Sequence, residues 1–304
     1  MVNGAARSGN MFAGIHAVLY AMFDADEALD MAAHEAQVEY CIAQGCHGIT
    51  VLGLATEVLK LTGAERKALV AVTGQAIGGR VPYSVTIAGN SVGEQVALAR
   101  AACEAGADWL ILQPPMVGNY GADTYLDFFE RVASAVDCPV ALQNAPQYLG
   151  RALRGYDIAR LRERCPNVVA VKSEDAALGI RRIVELAGEG MHILGGRGGL
   201  EMTDSLRCGC EGFVLAPDIA PVAVRIFELW QEGKHSDAEA LYALATPAIT
   251  FSMQSLEHLI TYGKRIFAAH ADLAVHDRAP YLGPSEFGLA MTARWAAHLA
   301  SLRA

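Results

Sequence analysis

Apolar residues in this chain come in short unbroken runs, and between the runs they recur at helical spacing. The runs cover 15–23, 48–53, 81–88, 109–115, 139–144, 168–172, 192–195 and 212–216. Each breaks into Gly, Pro or polar residues. An Ala-, Leu- and Glu-rich segment follows each time, at about 27–44, 62–77, 92–105, 121–135, 155–164, 176–188, 199–208 and 219–232. Near-continuous apolar runs, rather than strict alternation, mark strands buried on both faces, as in parallel sheets. Eight such units predict an α/β fold, a closed (β/α)8 TIM barrel over 13–232. An open doubly wound sheet is the competing arrangement. It more often stops at about five to seven strands, and no G-x-G-x-x-G follows the first run.

Past residue 232 the pattern changes. Three helical stretches follow with no strand between them, which predicts a C-terminal helical extension over 233–304. Residues 1–12 carry no periodic signal and are expected to form a flexible N-terminus without the apolar core of a signal peptide.

Composition narrows the function. Of 304 residues, 53% are hydrophobic and 19% charged, which favours a large core over disorder. The net charge is −9 and no basic run exceeds Arg181–Arg182, so nucleic acid is not the expected partner. No run of about 18 apolar residues predicts a membrane span. The expectation is a cytoplasmic protein whose partners are a small molecule and further copies of itself. Seven cysteines at irregular spacing predict no disulfides. Cys208 and Cys210 read as a helix end and turn. No histidine spacing gathers ligands, so neither a metal nor another cofactor is expected.

In a barrel of this kind the chemistry sits where strands end. Strand six ends in "VVAVKSED", and the period of two puts Val168, Ala170 and Lys172 on one face. Burial among apolar groups disfavours an ammonium ion, and a neutral amine attacks carbonyl carbon to give a Schiff base. The plainer alternative is a lysine that reaches solvent or pairs with Glu174 or Asp175.

The chain resembles the dihydrodipicolinate synthase / N-acetylneuraminate lyase family of class I lyases. The resemblance rests on "GLATEVLKLTGAER" (53–66), "GADWLILQPP" (106–115), "PVALQNAP" (139–146), "NVVAVKSE" (167–174), "ILGGRGG" (193–199) and "GCEGFVLAPDIAP" (209–221), in that order. It implies a barrel with a C-terminal helical extension, a homotetramer or dimer, and Lys172 as the residue that forms an imine with pyruvate or another 2-oxo acid. It also implies substrate contacts from Gly53, Ala55, Thr56, Asn144, Gly196, Arg197 and Val214. Arg197 is available for a carboxylate or hydroxyls, a surface ion pair being the alternative.

Three departures matter. The family's two hydroxyls after strand two give way to Leu54 and Ala55, leaving Thr56 as a displaced substitute. Its strand-five tyrosine, the usual proton shuttle, aligns with Gln143, and a second tyrosine aligns with Met116, near Tyr120. Glutamine cannot ionise, so Gln143 is expected to position an oxygen or a water rather than carry a proton. Glu174 and Asp175 are either a solvated helix start or a replacement proton carrier. His16 reads as core. "QNAP" at 143–146 is similar to the strand-five motif of 2-keto-3-deoxy-pentonate dehydratases. The expected activity is therefore dehydration, or else aldol cleavage, of a 2-keto-3-deoxy sugar acid or a related 2-oxo acid. A family member that merely binds a 2-oxo acid is the non-enzymatic alternative.

Overall fold

The computed structural model of the chain describes residues 10–303. Its strands are β1 Gly14–Val18, β2 Gly48–Val51, β3 Tyr83–Ile87, β4 Trp109–Leu112, β5 Val140–Asn144, β6 Val168–Ser173, β7 His192–Gly195 and β8 Gly212–Leu215. They pair in parallel and in sequence order around a closed barrel. The seam is β1 against β8, with Gly14 opposite Gly212 and Ala17 opposite Leu215. Closure excludes the doubly wound alternative. Each apolar run of the sequence coincides with one strand, and the runs at β1, β2, β3, β4 and β8 extend past the strand end because the chain stays buried as it turns out of the sheet.

Helices return each strand to the next, and their starts are written in the sequence. Asp30, Thr62 and Ser91 each accept a backbone N–H with the side chain at the head of a helix, and Thr62 and Glu65 complete a reciprocal capping box. Cys208 closes the helix Met202–Cys208, and Gly209 follows at φ 105°.

Two apolar layers result. The larger lies between the sheet and the helices. The smaller fills the barrel, where Trp109, Ile111, Leu194 and Val214 meet the small side chains of Ala141 and Ala170. Residues 1–9 of the stretch expected to be flexible lie outside the described residues. Phe12 is buried, packing edge-on against Trp109 and stacking on His192.

One expectation is corrected. Cys103 and Cys138 are joined by a disulfide. Cys103 lies in the last turn of the helix Val92–Glu104 and Cys138 precedes β5. Adjacency of β4 and β5 brings these positions together, with their Cα atoms 6.8 Å apart across a sequence separation of 35. Spacing along the chain carries no sign of that pairing.

The C-terminal region is helical throughout its regular elements: His235–Ser252, Leu256–His258, a π turn at Leu259–Gly263, Lys264–Ala271 and Glu286–Ser301. It is tied to the loop after β2 by a buried ion pair between Lys264 and Glu57, and the other Glu57 oxygen meets Lys60 Nζ at 2.6 Å. That tie holds the extension over the C-terminal rim of the barrel.

Candidate active site

Lys172 lies in β6, opposite Gln143 of β5 and Leu194 of β7. The pleat points it inward above Ala170, and only 3% of the residue is exposed. Alternation continues one step past the strand, so Glu174 faces the same way. Its Oε2 is 3.2 Å from Lys172 Nζ and accepts a hydrogen bond of 2.6 Å from Gln143 Nε2. The Glu174 backbone N–H donates to the Asn144 carbonyl at 2.8 Å. Opposite, Gly196 leaves the space the acid occupies: a Cβ there would lie 2.6 Å from Glu174 Cγ. The buried amine therefore has one carboxylate beside it, fixed by an amide, a backbone bond and a glycine.

Lys172 and Glu174 open into a small cavity at the C-terminal end of the barrel. Arg197 and Tyr148 complete its polar wall, and Ala55 and Val214 are among its apolar neighbours. Arg197 sits at φ 53°, a left-handed conformation that holds it at the tip of the β7 turn. Its Nε and Nη1 are buried without a hydrogen-bond partner, and the nearest carboxylate oxygen paired with it, on Glu201, is 3.7 Å away. A half-buried guanidinium with two nitrogens that lack hydrogen-bond partners is a ready site for an anion. Burial raises the Tyr148 phenol above its ordinary range and the Glu174 carboxylate adds to this, while Arg197 opposes them. The phenol therefore keeps its proton at neutral pH and serves as a donor.

The expected site residues divide into two groups. Lys172, Ala55, Arg197 and Val214 line the cavity. Gly53 lies one layer back, against Val18 of the wall, and Gly196 stands behind Glu174. Gln143 and Asn144 line a neighbouring cavity with Arg151 and Leu153. Gln143 reaches the lysine through Glu174, and Asn144 Oδ1 accepts the Leu153 N–H at 2.8 Å. Thr56 turns away: its hydroxyl donates to the Leu19 carbonyl at 2.6 Å. Asp175 accepts the Ala176 N–H, Tyr120 is exposed, and Met116 lies beside Arg151. Burial, aided by the nearby His47, lowers His16 to about 4, so it is a neutral core imidazole against Trp109.

Sequence reasoning missed Tyr148. It lies in the single helical turn Pro146–Leu149 after β5, where the proline at the first helical position was the available signal. It also missed Met253, Leu256 and Leu259, which reach the cavity from the C-terminal extension. No local pattern tells that three residues of a helical tail return to the barrel mouth. Among the described residues no three His, Cys, Asp or Glu side chains gather as a metal site, and no helix is long and apolar enough to cross a membrane.

Residues 11–282 match the model of the dihydrodipicolinate synthetase family. A DapA-like lyase of Halobacterium salinarum, itself uncharacterised, is 31% identical over 234 residues, covering 75% of this chain and 76% of the relative. The L-2-keto-3-deoxyarabonate dehydratase of Azospirillum brasilense is 29% identical over 244 residues, covering 78% of each. Among solved structures, a prophage protein of Escherichia coli from the dihydrodipicolinic acid synthase family, in complex with pyruvate, superposes with a TM-score of 0.86. The identity is 22%, covering 97% of this chain and 99% of that one.

Proposed function

The chain belongs to the dihydrodipicolinate synthetase family, and we propose that it is an imine-forming lyase for a 2-oxo acid bearing a hydroxyl at C4. A 2-keto-3-deoxy sugar acid or a related acid has this form, and dehydration is favoured over aldol cleavage. The observation that carries the reading is the Lys172–Glu174 pair, 3.2 Å apart at the floor of the cavity. A protein that only binds a 2-oxo acid has no use for an acid–base group beside the amine.

The residues divide the work as follows. Arg197 neutralises the substrate carboxylate. Glu174 takes a proton from Lys172, and the free amine adds to C2. Glu174 returns that proton to the C2 oxygen and relays a second one to it from the added nitrogen, so the oxygen leaves as water and the protonated imine forms. The imine acidifies C3–H, and Glu174 accepts that proton to give the enamine. In dehydration the electron pair returns through C3, the C4–O bond breaks, and Tyr148 or protonated Glu174 supplies the proton that makes the departing hydroxide water. Hydrolysis of the imine then restores the lysine. In aldol cleavage Glu174 instead takes the C4 hydroxyl proton as the C3–C4 bond breaks, leaving the enamine and an aldehyde. Gln143 holds Glu174 throughout and is a positioning residue.

Exchange of the pyruvate methyl protons for deuterium, followed by NMR in heavy water, tests the imine–enamine step. The wild type should exchange them and Lys172→Ala should not. Equal exchange by both proteins contradicts the proposal.

A further inference from the structure

The cavity is polar at its floor and apolar at its roof, and the division points to the substrate. The roof is Leu54, from the turn after β2, with Met253, Leu256 and Leu259 from the C-terminal extension. None of these side chains bears a strong donor or acceptor. The roof is also fixed in place. Met253 lies against Gly198, at φ 58°, where a Cβ would collide with its sulfur. Ser255, the nearest hydroxyl in sequence to Leu256, caps the following turn by accepting the His258 N–H at 3.1 Å and does not line this cavity.

The polar groups are few enough to assign one by one. Lys172 is consumed at C2, Arg197 faces the carboxylate, and Glu174 with Tyr148 serves the C4 oxygen. Among the described residues that line the cavity, no polar side chain remains for a hydroxyl at C5 or beyond. A hydroxyl buried against leucine and methionine gives up its hydrogen bonds to water without replacement. That costs a factor of about ten or more in affinity for each hydroxyl. An alkyl carbon in the same place gains by burial, a factor of about four per methylene.

We infer that the substrate is a 4-hydroxy-2-oxo acid whose C4 carries an alkyl or aryl group rather than a hydroxylated chain. This rests on the imine-forming reading of the same site and narrows its substrate.

The test uses the adduct that borohydride fixes between the enzyme and carbon-13-labelled pyruvate, read by mass spectrometry. Unlabelled 4-hydroxy-2-oxohexanoate and 4,5-dihydroxy-2-oxopentanoate compete separately against the label. The hexanoate should halve the labelled adduct at a concentration about tenfold lower or less. Met253→Gln and Leu256→Gln should shrink that preference. The inference is overturned if the dihydroxy acid competes equally or better. It is overturned too if well-folded variants keep the full preference. In both cases the imine reading stands, because the labelled adduct has formed. No labelled adduct at all overturns the imine reading and the inference with it. Should the variants fail to fold, the wild-type comparison decides.

Discussion

Replacing Glu174 by glutamine keeps the shape of the side chain and removes its ability to take a proton. In the resting protein its Oε2 is 3.2 Å from Lys172 Nζ. At an effective dielectric constant of about 20, that separation corresponds to an attraction of about 5 kcal/mol before desolvation is counted. The pair is thus held together until substrate arrives, and the amine becomes a nucleophile only by passing its proton to a neighbour. Glu174 is the carboxylate in contact. Its loss should lower kcat/KM by about 10²–10⁴-fold, the range of general acid–base help. Glu174→Asp keeps the carboxylate but withdraws it by one methylene, so it should recover part of the rate. The assay is steady-state turnover of a 4-hydroxy-2-oxo acid, alongside the rate of borohydride-trapped adduct formation. Both rates should fall in Glu174→Gln, because imine formation itself uses the proton transfer. Turnover within about threefold of the wild type would show that the proton travels elsewhere and would refute the reasoning.

Tyr148→Phe should leave the borohydride adduct intact and lower kcat by about 10²-fold, the lower end of general-acid help; loss of the adduct would place the phenol in imine formation instead. Lys264→Met removes the buried partner of Glu57, and because Lys60 still meets the other Glu57 oxygen the cost should lie below the about 3–5 kcal/mol of a buried charge left unpaired. The urea midpoint should fall accordingly, and an unchanged midpoint contradicts the role given to this tie. Burial raises Asp218, beside the Tyr20 hydroxyl, from 3.8 to about 6. The native state therefore holds the proton more firmly than the unfolded chain. This contribution, about 3 kcal/mol, is full below pH ~4 and lost as pH rises through about 6. Asp218→Asn should not show that loss, so its unfolding free energy should gain on the wild type between pH 4 and 7. Parallel profiles would argue against the shift.

The barrel was legible because parallel strands buried on both faces write unbroken apolar runs, and eight of them alternate with helical segments. The position of Lys172 was legible for the same reason, as a charge at the end of such a run. Glu174 was harder to place. The apolar run stops at Val171, but the pleat continues to Ser173 and aims the next inward position at the amine. The resemblance at Thr56 suggested a hydroxyl for substrate, yet its bond to Leu19 is decided by the turn after β1. Tyr148, Met253, Leu256 and Leu259 were out of reach because tertiary packing, not local pattern, brings the strand-five turn and the C-terminal helices to one cavity. The Cys103–Cys138 pair escaped on the same account.

The central claim is that Lys172 forms a covalent imine with a 2-oxo acid. Borohydride reduction of the wild type in the presence of pyruvate, followed by proteolysis and peptide mass mapping, tests it most directly. The predicted result is one reduced pyruvyl adduct on the peptide carrying Lys172, absent from Lys172→Ala although that variant stays folded. An adduct on another lysine, or none with pyruvate or any longer 2-oxo acid, would contradict the account.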